Sequence, residues 1–104
     1  MPELGETPPA PRAPAVRLIV PRLLSDCTAG QTSLSLSAGT LEAAVAEIRR
    51  RWPTLGVLVF DESGAPRPHV LLLHNGRATR WQSGPAVALR EGDALEIVQA
   101  VSGG

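Results

Sequence analysis

The residues with the clearest prospect of chemistry are the last three, Ser102-Gly103-Gly104, because they end the chain in a carboxylate with no side chain beside it. They follow Ala94-Leu95-Glu96-Ile97-Val98-Gln99-Ala100-Val101, which has the composition of a β-strand and no stop signal of its own. Glycine has no Cβ and loses the most conformational entropy on ordering, so a Gly-Gly end adds little to a fold but passes a channel too narrow for any side chain. Taken alone, the two glycines read as a frayed end. Taken with a strand that runs straight into them, they suit a chain end that is itself chemically modified.

The remaining reactive side chains carry less. Cys27 lies in a loop without a neighbouring His or cation to activate its thiol. His69 and His74 have no Cys or paired acid at metal-ligand spacing, so no zinc site is expected. Asp61-Glu62 reads as a solvated turn, and Arg49-Arg50-Arg51 as the last turn of a helix, where cations offset the helix dipole. There is no nucleophile–base pair and no phosphate loop, so the chain is expected to be a substrate and carrier for other enzymes rather than an enzyme.

Two stretches upstream of the tail give it context. His74-Asn75-Gly76 contains Asn-Gly, the strongest two-residue hairpin signal. Leu89-Arg90-Glu91-Gly92-Asp93 is a turn in which Gly92 supplies the positive φ of a tight reversal. An Asn-Gly hairpin, a Leu-x-x-Gly-Asp turn, a closing strand and a terminal Gly-Gly, in that order, resemble the MoaD/ThiS family of ubiquitin-like sulfur carriers. The likeness runs from Val16 to Gly104. Val20-Pro21-x-x-Leu24 with Thr28-Ala29-Gly30-Gln31 is most similar to the branch of that family that feeds sulfur to cysteine biosynthesis. Family tails often read Pro-Ala-Val-Ala-Gly-Gly; here Gln99 stands for the proline and Ser102 for the alanine.

The resemblance implies a function for the tail. An E1-like adenylating enzyme would use ATP to convert the Gly104 carboxyl to an acyl-adenylate, and a persulfide or sulfurtransferase donor would replace AMP. The resulting C-terminal thiocarboxylate would donate its sulfur to a biosynthetic partner enzyme, with Gly103 and Ser102 threading the partner's slot. No cofactor is expected on the chain itself. The same resemblance admits a small subunit of molybdopterin synthase and a ubiquitin-like protein modifier, and a β-grasp binding module with an inert tail is a fourth reading.

Composition narrows the classes further. The 104 residues suffice for one modest domain, and ten basic against ten acidic side chains leave no basic excess for a nucleic-acid footprint. No apolar run approaches the roughly 18 to 20 residues of a membrane span. The single cysteine forms no internal disulfide and no secretory signal opens the chain, so a cytoplasmic location is expected. All ten basic residues are arginine, and a modifier without lysine builds no ε-linked chains on itself.

Positioning the tail falls to an α+β domain. Residues 1–15 are Pro-rich, without helical or strand period, and read as a disordered leader to a domain over 16–104. Val16 to Val20 is a β-branched run closed by Pro21; a loop from Leu23 to Gln31 leads to Thr32–Ser37, whose strict alternation turns Leu34 and Leu36 inward. Thr40 caps a helix over 41–51 with Leu41, Ala44, Val45, Ile48 and Trp52 on one face, ended by Pro53. Leu55 to Phe60 is strand-like or a short 3-10 passage, Val70–Leu73 a strand buried on both faces, and Arg77–Arg80 its hairpin partner. The order matches the resemblance: a β-grasp fold with a mixed sheet of four or five strands, one main helix on one face, and the last strand beside the first. Alternation then leaves Ile19, Val98 and Ala100 on the outer face, an expected docking patch for the activating enzyme.

Overall fold

The computed structural model describes residues 13–79 and 87–99, which form one five-stranded mixed sheet with helices on one face. The strands are β1 (Ala15–Ile19), β2 (Ser33–Ser37), β3 (Val70–His74), β4 (Arg77–Ala78) and β5 (Ala94–Gln99), in the spatial order β2-β1-β5-β3-β4. β1 and β2 are antiparallel neighbours. β5 runs parallel to β1 and antiparallel to β3, so the last strand lies in the centre of the sheet. This is the β-grasp arrangement.

Alternation assigns the faces. Val16 and Leu18 of β1, Leu36 of β2, Val70 and Leu72 of β3, and Leu95 and Ile97 of β5 are buried under the helices. Leu34 is half-buried and packs against the same core. Helix α1 (Leu41–Arg51) covers this face with Leu41, Ala44, Val45 and Ile48. Thr40 Oγ1 accepts the Ala43 N–H at 3.1 Å, the expected N-cap, and the arginines close the last turn. Arg50 pairs with Glu47 at 2.7 Å, and the Arg51 guanidinium lies 4.3 Å from the Trp52 ring centre. Trp52 itself is half-buried at the edge of the core.

Three local expectations change. Pro53 ends α1 but also begins a second helix, α2 (Pro53–Val59), where a strand-like or 3-10 passage was expected. Proline is tolerated at the first helical position because its missing N–H has no partner to lose there. Leu55 and Val59, four residues apart, then share the buried side, and Gly56 lets α2 approach α1 so closely that a Cβ would meet Arg49 Cα at 3.0 Å. The loop expected over 23–31 is largely a 3-10 helix, Arg22–Thr28, which buries Leu24 and Thr28. Thr28 Oγ1 bridges the carbonyls of Ser25 and Gln31, and Ala29 and Gly30 then reverse the chain at positive φ. Finally, β3 is not buried on both faces, since Leu71 is 51% exposed.

At the start of the domain, β1 begins at Ala15, and the Pro14 carbonyl accepts the Ala38 N–H. Residues 1–12 lie outside the described residues, as does Arg80 of the expected hairpin partner. No helix among the described residues is long and apolar enough to cross a membrane.

Candidate functional site

The site is the root of the tail, and its geometry follows from two turns at the start of β5. Asn75 and Gly76 both have positive φ, 52° and 86°, as a type I′ hairpin turn requires. Gly92 has φ 87° in the second turn. Sequence reading finds both turns but not the bond between them. His74 Nε2 lies 2.8 Å from Asp93 Oδ2, and Asn75 Nδ2 donates to Asp93 Oδ1 at 3.1 Å. Asn75 also exchanges bonds with Ala94, its backbone N–H donating to the Ala94 carbonyl and its Oδ1 accepting the Ala94 N–H, each at 2.8 Å. The polar residues of two separate turns thus form one latch that fixes where β5 starts. The available signal was topological: two polar turns flanking neighbouring strands must meet.

The His74 hydrogen bond, then that of Asn75 and the Arg90 backbone N–H, hold the Asp93 carboxyl down at about 2, against an ordinary 3.8. An ionised carboxylate only accepts, so His74 Nε2 carries the shared proton. Because the folded state binds the Asp93 proton more weakly than the unfolded chain, this contribution to stability is complete above about pH 4 and fades as pH falls toward 2. Thermal melts should therefore drop over that window, and Asp93→Asn should lower the neutral-pH melting temperature while flattening the drop. A variant with the same acid profile as the parent would remove the latch from the account.

From this anchored start, β5 runs away from the turns. β1 pairs with it only over Ala94–Glu96, whereas β3 pairs with it as far as Gln99 opposite Val70. The strand therefore loses one neighbour before the other. Beyond Gln99 the expected site residues Ala100, Ser102, Gly103 and Gly104 lie outside the described residues.

On the outer face the structure places Ile19 and Val98, each half-buried. Ile19 is opposite Glu96 and therefore diagonal to Val98, and Leu71 is directly opposite Val98. Leu73 adjoins Glu96 on the same face. Leu71 and Leu73 are the residues that sequence reading missed, because a continuous apolar run does not say which leucines face the helix. Register says it: with Leu72 opposite the buried Ile97, Leu71 must turn outward.

The other reactive candidates stay apart. Cys27 is a free, half-buried thiol packed against the core, and His69 is exposed. Asp61 Oδ1 accepts from the Ser63 hydroxyl and from the Ser63 and Ala65 N–H groups, which hold its own turn and lower its carboxyl below the usual range. No group of three or more His, Cys, Asp or Glu among the described residues is arranged to hold a metal ion.

Comparison with known proteins agrees with this arrangement. The sequence profile of the ThiS family matches residues 19–104. The sulfur carrier protein CysO of Mycobacterium tuberculosis is 31% identical over 91 residues, covering 86% of this chain and 98% of that protein. The crystal structure of Mycobacterium tuberculosis CysO superposes with a TM-score of 0.71 at 30% identity, over 83% of this chain and 99% of the other. CysO in the Amycolatopsis orientalis BexX/CysO complex structure superposes with a TM-score of 0.74 at 22% identity, over 86% and 99%, and shares the fold. With a β-grasp sheet, the two turns that anchor β5 and a match that runs to the last residue, the chain belongs to the ThiS family of ubiquitin-like sulfur carrier proteins.

Proposed function

We propose that the Gly104 carboxylate is the sulfur-carrying group and that the β-grasp domain exists to present it. A carboxylate is a poor electrophile, so its oxygen first attacks the α-phosphorus of ATP held by an E1-like enzyme, and pyrophosphate leaves. The sulfur of a donor persulfide then attacks the acyl carbon, AMP leaves, and a thiol cleaves the remaining S–S bond to release the thiocarboxylate. Its sulfur is a soft nucleophile for an electrophile held by an accepting enzyme. The observation that carries this reading is the central placement of β5, latched at its start and freed from β1 before its end. The 31% identity to a sulfur carrier over nearly that protein's whole length supports the branch that supplies cysteine or another sulfur metabolite. Pyrophosphate release with a competent activating enzyme tests the first step. The free acid should support it, and a chain ending in a Gly104 amide should not; release from the amide would refute the assignment.

The modifier reading is supported by 44% identity over 43 residues to small archaeal modifier protein 3 of Haloferax volcanii. It shares the adenylate but ends in isopeptide adducts on other proteins' lysines, seen as heavier species that vanish without Gly104.

For docking, we take the outer face of Ile19 and Val98, with Leu71 added, as the surface that meets the activating enzyme, and expect Ala100 to extend it from strand alternation. Leu71→Asp removes apolar contact where the chain is half exposed, so melting should hold while activation slows about tenfold or more. Unchanged activation would move the interface elsewhere.

A further inference from the structure

β2 ends the sheet on one side, and no strand among the described residues pairs with its outward edge. The Val20 N–H donates to the Thr32 carbonyl and the Ala38 N–H to the Pro14 carbonyl, so the hydrogen-bonded pairs between β1 and β2 fall on even-numbered residues. Ser33, Ser35 and Ser37 therefore turn their N–H and C=O groups away from β1 toward the free edge. Edge strands are usually blunted by charge, proline, a bulge or shortness. The opposite edge, β4, has two residues; β2 has five, Ser-Leu-Ser-Leu-Ser, with no charge and no proline.

One side chain does reach this edge. Arg51 Nη1 donates to the Ser35 carbonyl at 3.0 Å, from a guanidinium lying over the Trp52 ring. It holds the acceptor that the N–H of an added strand would take. Arg17 stands opposite Ser35 on the outer face, and with Ser33, Ser35 and Glu91 it lines a cavity of about 390 Å³. Glu91 is already engaged, its Oε1 accepting the Ala15 N–H at 2.8 Å. Two guanidiniums thus flank Ser35, one on each side of the sheet.

We propose that the β2 edge receives an extended acidic segment of another protein, which adds as a further strand. Its N–H replaces Arg51 at the Ser35 carbonyl, and the freed guanidinium takes one of its carboxylates. Charge selects this occupant. A second copy pairing antiparallel about Ser35 would set Arg51 against its own symmetry mate. The inference makes no use of the tail, so it stands or falls separately from the sulfur chemistry.

The test is an NMR titration of the full-length ¹⁵N-labelled protein with a capped Val-Asp-Val-Glu-Val peptide and with its counterpart carrying lysine at both acidic positions. Amide shifts should concentrate at Ser33, Ser35 and Ser37, and the lysine peptide should bind about tenfold or more weakly. Ser35→Pro removes an outward N–H without removing a β1–β2 bond, so it should melt near the parent and lose the response. Arg51→Glu, at an exposed position, should invert the preference between the peptides whether or not the proline variant folds. Equal binding of both peptides, shifts confined to other surfaces, or a concentration-dependent dimer abolished by Ser35→Pro would each overturn the proposal.

Discussion

Removal of Gly103 and Gly104 should leave the melting temperature where it is and abolish sulfur loading. Among the described residues the ladder between β5 and β3 runs to Gln99 opposite Val70, and the two glycines have no side chains to pack, so their loss should change stability by no more than about 0.5 kcal/mol. Activation fails for a different reason. The carboxyl moves back to Ser102 and, on the proposed chemistry, stops two residues short of the nucleotide. Thermal melting and thiocarboxylate formation on the same truncated protein separate these effects. A truncation that melts far below the parent would make the tail structural.

The opposite dissociation is expected at Ile97. It lies on the central strand, 1% exposed, opposite Leu72 and beneath the helices. Ile97→Ala removes buried carbons and leaves a cavity that the packed sheet closes only in part, at a cost of roughly 2 to 5 kcal/mol. At this size each kcal/mol moves the midpoint by about 4 to 8 °C, so melting should fall by at least about 8 °C. Loading, measured well below the new midpoint, should persist because the latch and the tail are untouched. A loss below about 1 kcal/mol would mean that β5 is less central than its pairing implies.

Much of this architecture was legible in the residues. Period-two alternation located β2, the change of period after Thr40 located α1, and the glycines at 76 and 92 marked both reversals. What escaped reading has a common physical cause. Short apolar runs carry no face information until register is known, so Leu71 passed for buried although it is half exposed. Proline signals a stop and a start alike, and only the packing of Leu55, Gly56 and Val59 decides for a second helix. The latch of His74, Asn75 and Asp93 joins residues 18 and 19 positions apart, a contact that turn chemistry alone does not announce. Gly104, by contrast, was assigned from its place after a strand and from resemblance, and its role rests on chemistry.

The most direct measurement is intact-mass analysis with C-terminal fragmentation after incubation with ATP, an activating enzyme and a sulfur donor. The account predicts that one oxygen is exchanged for one sulfur, located in the fragment that ends at Gly104. A whole sulfur atom gained at Cys27, or a mass that stays unchanged with a competent activating enzyme, would contradict it.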